Sequence, residues 1–202
     1  MRARRRARQS RRFVKATETA LAELLSRDLS NLPVAALMVD GLHIAEHLMV
    51  VALAITTDGT KVPVGLYEGD TENTTVVTGL LADLVDRGLD ASGGILIVID
   101  GAKALTKAVR KVFGTSALIQ RCTLHKRRNV AEHLPERERD LVDRKLVRAF
   151  THPDPELGLR AARELATSLD KTHPSAAASI REGLEEMFTV RRLGLPESWK
   201  PR

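Results

Sequence analysis

Two short stretches decide how this sequence folds: LMVDG, from Leu37 to Gly41, and IVIDG, from Ile97 to Gly101. Each is an apolar run that ends in an aspartate followed by a glycine. The second run is too short for a helix of its own and rich in β-branched residues, and both runs predict buried strands. The question is why two buried strands should each finish on a carboxylate.

The rest of the chain predicts a sheet of five strands followed by helices. Apolar runs predict strands over 35–40, 48–56, 61–67, 93–100 and 116–120. The pair Asp58-Gly59 is a hairpin turn signal, and Pro63, which has no backbone donor, places the third strand at an edge of the sheet. Helical periodicity predicts helices over 13–30, 71–88, 102–114, 123–134, 136–150, 155–168 and 175–187.

The element order β-β-β-α-β-α-β-α, followed by helices, predicts an α/β fold with a ribonuclease-H-like mixed sheet in the strand order 3-2-1-4-5. Right-handed crossovers then place helices over the faces of the sheet. We divide the chain into a basic tail (1–12), a sheet core (13–134), a helical segment (135–190) and a C-terminal tail (191–202).

In this strand order the two aspartates lie on neighbouring parallel strands, which are about 4.8 Å apart. Unpaired carboxylates so close together repel each other, and a divalent cation relieves that repulsion. Mg²⁺ prefers oxygen ligands, and a pair of such ions can activate a water or a 3′-hydroxyl for phosphoryl transfer. Gly41 and Gly101 are expected to let the backbone turn after each aspartate.

Asp-Gly pairs also occur where no such metal site exists. At the end of a strand, Asp-Gly is ordinary turn chemistry. A phosphoryl-aspartate phosphatase can carry a similar strand ending, but it would need a second acid two residues after the first, and Leu42 and Ala102 occupy those positions.

Composition limits the classes of protein to which the chain can belong. The net charge is +6, but seven arginines lie in the first twelve residues, and the remaining 25 of the 32 Lys and Arg face 26 Asp and Glu. The tail is expected either to bind a phosphate backbone or to be a solvated extension. Only 3% of residues are aromatic, which argues against recognition of single strands by base stacking. No membrane partner or small-molecule substrate is expected, and the single cysteine fits a cytoplasmic location.

Six segments carry a resemblance to a known family, namely LMVDGLHIAEH, GDTENTTVVTGLLADLVDRGLD, ILIVIDGAKALTKAVRKVFG, IQRCTLHKRRNV, LDKTHPSAAASIREGLEE and VRRLGLP, in that order. Together they resemble the Mutator-type bacterial insertion-sequence transposases, from about Arg12 to Pro196. Members of that family are DDE enzymes in which a helical insertion interrupts a ribonuclease-H-like core.

The resemblance implies a role for particular residues. Asp40 and Asp100 would be the first two catalytic acids and would hold Mg²⁺ or Mn²⁺, while DNA, a second copy or a full-length transposase would be the partners. Cys122 and His125 match the C-x-x-H signature of the family. A zinc site is not expected, because no second pair of ligands completes it. We expect the cysteine to be buried, since free cysteines usually pack as small hydrophobic residues, and the histidine to lie near the site, where it could contact DNA or orient a carboxylate.

The basic row after the histidine is a further candidate for DNA binding. Lys126, Arg127 and Arg128 could hold phosphates, although charges in a helical row are often a solvated face.

The sequence departs from the family pattern at the third acid, a glutamate in an Asn-x-x-Glu-Ser stretch that this chain does not contain. Glu197-Ser198 matches two of its letters, but no helix is predicted to bring it to the site. We therefore expect a transposase shortened at both ends and inactive alone. The alternatives are a non-catalytic remnant that binds DNA or a transposase, and a ribonuclease-H-type nuclease with acids that cannot be placed.

Overall fold

Five strands form one mixed sheet in the computed structural model, which describes residue 15 and residues 17–44, 46–69 and 74–194. The strands are β1 (Val34–Ile44), β2 (His47–Thr56), β3 (Lys61–Gly69), β4 (Ile95–Ile99) and β5 (Ala117–Arg121). Their order is β3-β2-β1-β4-β5. The predicted strand order is therefore confirmed, and Pro63 lies on an edge strand as expected.

The sheet is antiparallel on one side and parallel on the other. β1 pairs with β2 and β2 with β3 in antiparallel ladders, whereas β4 runs parallel to both β1 and β5. All five residues of β4 are buried, as expected for a central parallel strand with both faces covered.

Eight α-helices complete the described part of the chain. The first, α1, covers 17–26 and ends earlier than the predicted 13–30. The others are α2 (Thr74–Asp86), α3 (Lys103–Phe113), α4 (Thr123–Glu132), α5 (Glu136–Phe150), α6 (Pro155–Leu169), α7 (Pro174–Arg181) and α8 (Thr189–Arg192). The predicted tail over 1–12 and Glu197 lie outside the described residues.

The first strand is longer than the sequence indicated. β1 continues four residues beyond Asp40, and Gly41 pairs with Val50 in the β2 ladder instead of turning the chain. β2 offers backbone partners along this whole length, and a continued ladder satisfies the N–H and C=O groups of β1. The expectation that the first strand ends on its aspartate is therefore wrong, while Asp100 does follow directly after β4.

The helix predicted over 175–187 is also shorter than expected. α7 ends at Arg181, and Gly183 has a φ of 61°. This left-handed conformation suits glycine, and it turns the chain into a short 3-10 turn at Glu185–Met187.

The buried side chains of the described residues form two hydrophobic clusters. The sheet core joins the strands to the buried faces of α2 and α3. The helical core contains the buried residues of the four helices α4, α5, α6 and α7 and of the segment that follows them up to Phe188. In this core the ring of Phe188 packs edge-on against Phe150, with 5.8 Å between the ring centroids. Val130 and Leu134 already belong to the helical core, which thus begins within α4.

None of the described helices is long and apolar enough to cross a lipid bilayer.

Candidate active site

The two aspartates lie next to each other on the two central strands of the sheet, β1 and β4. Val39 of β1 is the parallel partner of Ile99 of β4, and the next residues are Asp40 and Asp100. Adjacent strands are about 4.8 Å apart, so the two carboxylates lie close together. The structure thus brings together the pair that the sequence singled out, although Asp40 lies within its strand and Asp100 just after its own.

Each carboxylate accepts a hydrogen bond from a nearby backbone amide through only one of its oxygens. Oδ1 of Asp40 accepts from the N–H of Gly41 at 3.0 Å, and Oδ1 of Asp100 accepts from the N–H of Ala102 at 2.7 Å. Local backbone contacts therefore account for one oxygen of each carboxylate, after the strand at Asp100 and within the strand at Asp40. No described residue donates a hydrogen bond to Oδ2 of either aspartate.

The electrostatics of the pair favour an added positive charge. Burial raises the pKa of Asp40, and the negative charge of Asp100 raises it further. The charge of His125 and the N–H of Gly41 oppose this effect but do not cancel it. A divalent cation between the carboxylates would neutralise the charge that the fold disfavours.

His125 reaches the site from the start of α4. The N–H of Cys122 donates to the carbonyl oxygen of Ile99 at 2.7 Å, which ties the start of α4 to the end of β4. His125 and Asp100 line the same pocket of about 230 Å³, and Nδ1 of His125 is buried without a hydrogen-bond partner in the described structure. Cys122 is a free thiol and only half-buried, so the expected full burial is not observed.

The three basic residues after His125 have three different environments. Lys126 is 1% exposed, and its Nζ donates to the carbonyl oxygen of Ser179 at 2.8 Å and to Oε2 of Glu182 at 2.9 Å. The proposed phosphate contact of Lys126 is therefore wrong for this structure, because its ammonium group is buried in an ion pair.

Arg127 and Arg128 differ from Lys126 and from each other. Arg127 makes two hydrogen bonds of 2.6 Å to the carboxylate of Asp143 on α5, which raises the pKa of Arg127. Arg128 is exposed. Of the predicted basic row, Arg128 is thus the residue that the structure leaves available to a phosphate.

An ion-pair network that helps to line the pocket was not predicted from the sequence. Arg121, the last residue of β5, pairs with Glu182 at 3.2 Å and with Glu186 at 2.8 Å, and Glu182 also pairs with Lys126. Burial pushes the pKa of Glu182 upward, but Lys126 and Arg121 together outweigh it and hold this pKa below its usual value. An arginine that ends an apolar strand was the one local signal of this network.

The carboxylate oxygens of Asp40 and Asp100 fit a hard cation better than zinc. Carboxylate oxygens suit Mg²⁺, which is commonly held by one or two carboxylates together with water and phosphate oxygens. Within residues 17–44, 46–69 and 74–194, no cluster of three or more His, Cys, Asp and Glu could hold a metal ion. Any cation at Asp40 and Asp100 would thus complete its coordination with other ligands.

The fold and the site define a mixed α/β protein with a carboxylate pair on two neighbouring parallel strands, one acid within β1 and the other directly after β4. The family model described as "Transposase, Mutator family" matches residues 8–199. The chain therefore belongs to the Mutator family of transposases, as its sequence motifs indicated.

Named relatives come from several bacteria. The chain is 30% identical over 169 residues to a transposase for insertion sequence element IS6120 of Mycolicibacterium smegmatis, which covers 81% of this chain and 51% of that protein. It is 28% identical over 138 residues to a transposase for insertion sequence element ISRM3 of Rhizobium meliloti, covering 68% of this chain and 34% of that protein. The chain thus spans about half the length, or less, of these two relatives.

Proposed function

We propose that this chain carries part of the catalytic core of a DDE transposase, in which Asp40 and Asp100 hold Mg²⁺ for cleavage of DNA and transfer of the cut strand. The observation that supports the proposal is the pairing of the two carboxylates, each with one oxygen that accepts no hydrogen bond from the described residues. Membership in the Mutator family of transposases supports DNA as the partner and substrate.

The proposed fold class is ribonuclease-H-like. The strand order β3-β2-β1-β4-β5, with β1 parallel to β4, supports this assignment. In such a sheet, the carboxyl ends of adjacent parallel strands are where ligands bind in many α/β proteins.

Cation binding tests the site directly. Titration of the chain with Mn²⁺, followed by electron paramagnetic resonance of the free ion, should show a site for which Mg²⁺ competes. Asp40→Asn and Asp100→Asn should each weaken binding by more than about tenfold, since loss of even an outer partner of a ligand has an effect of that size.

Asp90→Asn is the matched control for this titration. Oδ1 of Asp90 accepts from the N–H of Ser92 at 2.8 Å, as Oδ1 of Asp100 does from Ala102, but Asp90 is exposed and lies outside the strands. Its variant should bind Mn²⁺ as the wild type does. Equal affinity in Asp40→Asn, Asp100→Asn and the wild type would refute the proposed site.

DNA cleavage tests the chemistry. Because no third protein ligand joins the pair within the described residues, we expect this chain alone to nick supercoiled DNA weakly or not at all with Mg²⁺. Robust nicking that is lost in Asp100→Ala would show that the chain is active alone, and nicking that survives both aspartate substitutions would assign the cleavage elsewhere.

A further inference from the structure

Three lysines form an exposed row on α3 that makes no ion pair. Lys103, Lys107 and Lys111 are four residues apart and all exposed. The opposite face of the helix is buried in the sheet core through Leu105, Ala108, Val109 and Phe113. No described residue forms a hydrogen bond or salt bridge with any of the three ammonium groups, and α3 itself contains no acidic residue.

This arrangement is unfavourable for the helix on its own. Like charges four residues apart repel each other. Lys103 is also the first residue of α3, where the positive end of the helix dipole disfavours a cation. A row that disfavours its own helix, with no neutralising partner in the described structure, indicates an external anion. Arg110 is different, because it donates to the carbonyl oxygens of Gly114 and Ala117 at the end of the helix.

The row begins at the candidate active site. Lys103 follows Asp100 by three residues, and the intervening Gly101 and Ala102 line the same pocket as Asp100. Since β4 and β5 are parallel, α3 must carry the chain back from the carboxyl end of β4, where Asp100 lies, to the level at which β5 begins. The three lysines therefore extend about 12 Å away from the site along the outer surface of α3.

We propose that Lys103, Lys107 and Lys111 bind successive phosphates of DNA and guide a strand to Asp40 and Asp100. The inference rests on the proposed function for the identity of the anion. The lysines act as positioning residues: they neutralise the phosphate backbone on the approach to the site and do not touch the reacting atoms.

The salt dependence of DNA binding tests the proposal. For duplex DNA, the slope of log affinity against log salt changes by about 0.9 for each phosphate that a protein neutralises. The triple variant Lys103→Gln/Lys107→Gln/Lys111→Gln should therefore make this negative slope shallower by about 2.7 when binding is measured between about 50 and about 200 mM salt. Glutamine is a comparable helix former, so the helix should remain folded.

A second triple variant, Lys61→Gln/Lys145→Gln/Lys171→Gln, removes the same net charge from exposed lysines on β3, on α5 and after α6. It should leave the slope nearly unchanged. An equal decrease in both triples would attribute the effect to net charge and overturn the proposal, as would an unchanged slope in the α3 triple. Both variants retain residues 1–12, whose arginines contribute equally to each measurement.

Acylation of lysines followed by mass spectrometry gives a second readout on the unmodified chain. DNA should protect Lys103, Lys107 and Lys111 and leave Lys61, Lys145 and Lys171 reactive. Protection of the α3 lysines by anionic lipid vesicles but not by DNA would overturn the proposal. If Mn²⁺ binds and DNA binds while the α3 lysines stay reactive, only the proposed role of these lysines is refuted. If the wild type binds no DNA, the proposed function is refuted as well.

Discussion

Burial and the neighbouring Asp100 raise the pKa of Asp40, so the folded chain holds a proton on this carboxyl group at a higher pH than the unfolded chain does. The stability that the protonated form contributes is present at acid pH and is lost as the pH rises through the folded pKa. At neutral pH an ionised Asp40 therefore destabilises the metal-free fold, mainly because its carboxylate is partly buried and secondarily because Asp100 lies nearby.

Asp40→Asn should consequently stabilise the metal-free protein. In EDTA, the free energy of unfolding of the variant should exceed that of the wild type at pH 7, and the gain should shrink as the pH falls toward the ordinary value of 3.8. Urea denaturation across this range measures the difference. Asp86→Asn, which changes an exposed carboxylate on α2, is the control and should show no comparable gain. A variant that is less stable than the wild type at every pH would contradict the expectation.

Individual site residues were predictable only where local sequence carried the information. Asp40 and Asp100 each follow an apolar run, and strand order then makes them neighbours. The environment of Lys126 was not predictable, because its carboxylate partner Glu182 lies 56 residues further along the chain. A basic residue in a helical row has the same local pattern whether its side chain is solvated or buried in an ion pair.

At the scale of elements, the strand order followed from apolar runs and the handedness of crossovers, while element ends followed from tertiary contacts. β1 extends to Ile44 because β2 supplies a continuous ladder. α7 ends where Gly183 turns the chain over the side chain of Arg121: a Cβ at Gly183 would lie 2.3 Å from Nε of that arginine. No periodicity in the sequence reports such a long-range contact.

Gly183→Ala should therefore destabilise the protein through two effects. The left-handed backbone disfavours a side chain by about 1 kcal/mol, and the new methyl group would also displace the guanidinium group of Arg121. Gly194→Ala is a matched control, because Gly194 has a φ of 62° but a Cβ at this position would have no atom of the described residues within 4 Å. Thermal or urea denaturation should show a larger loss for Gly183→Ala. Equal losses would mean that contact with Arg121 has no energetic role.

Across the whole molecule, the sheet core and the helical core meet through polar contacts. The side-chain amide of Gln120 on β5 donates to the carbonyl oxygen of Met187 at 3.0 Å, and its oxygen accepts from the N–H of Val190 at 2.9 Å. The ion pairs of Arg121 and Lys126 with Glu182 lie beside these contacts. The end of β5 and the start of α4 are thus held against the segment after α7, immediately next to the pocket that Asp100 and His125 line.

The two ends of the Lys126–Glu182 pair should therefore respond differently to substitution. Glu182→Gln removes the carboxylate that neutralises the buried ammonium of Lys126 and leaves its hydrogen bond to the carbonyl oxygen of Ser179. This variant should lower the free energy of unfolding by roughly 2 kcal/mol, because a buried charge that loses its charged partner is costly. Lys126→Met removes the buried charge itself. Glu182 then keeps Arg121 and is half-exposed, so this variant should cost less than about 1.5 kcal/mol.

Urea denaturation measures the loss of unfolding free energy in Glu182→Gln and in Lys126→Met. Hydrogen exchange of the backbone amides of α5 and α6 shows whether the helical core opens more readily in Glu182→Gln. Asp170→Asn, which breaks an exposed ion pair between the end of α6 and Arg181 of α7, should change both measurements little, because water and salt screen surface pairs. If Lys126→Met proves as damaging as Glu182→Gln, the aliphatic stem of the lysine and its hydrogen bond to Ser179 would matter more than charge pairing. The junction next to the candidate active site would then be held by packing and not by the buried ions.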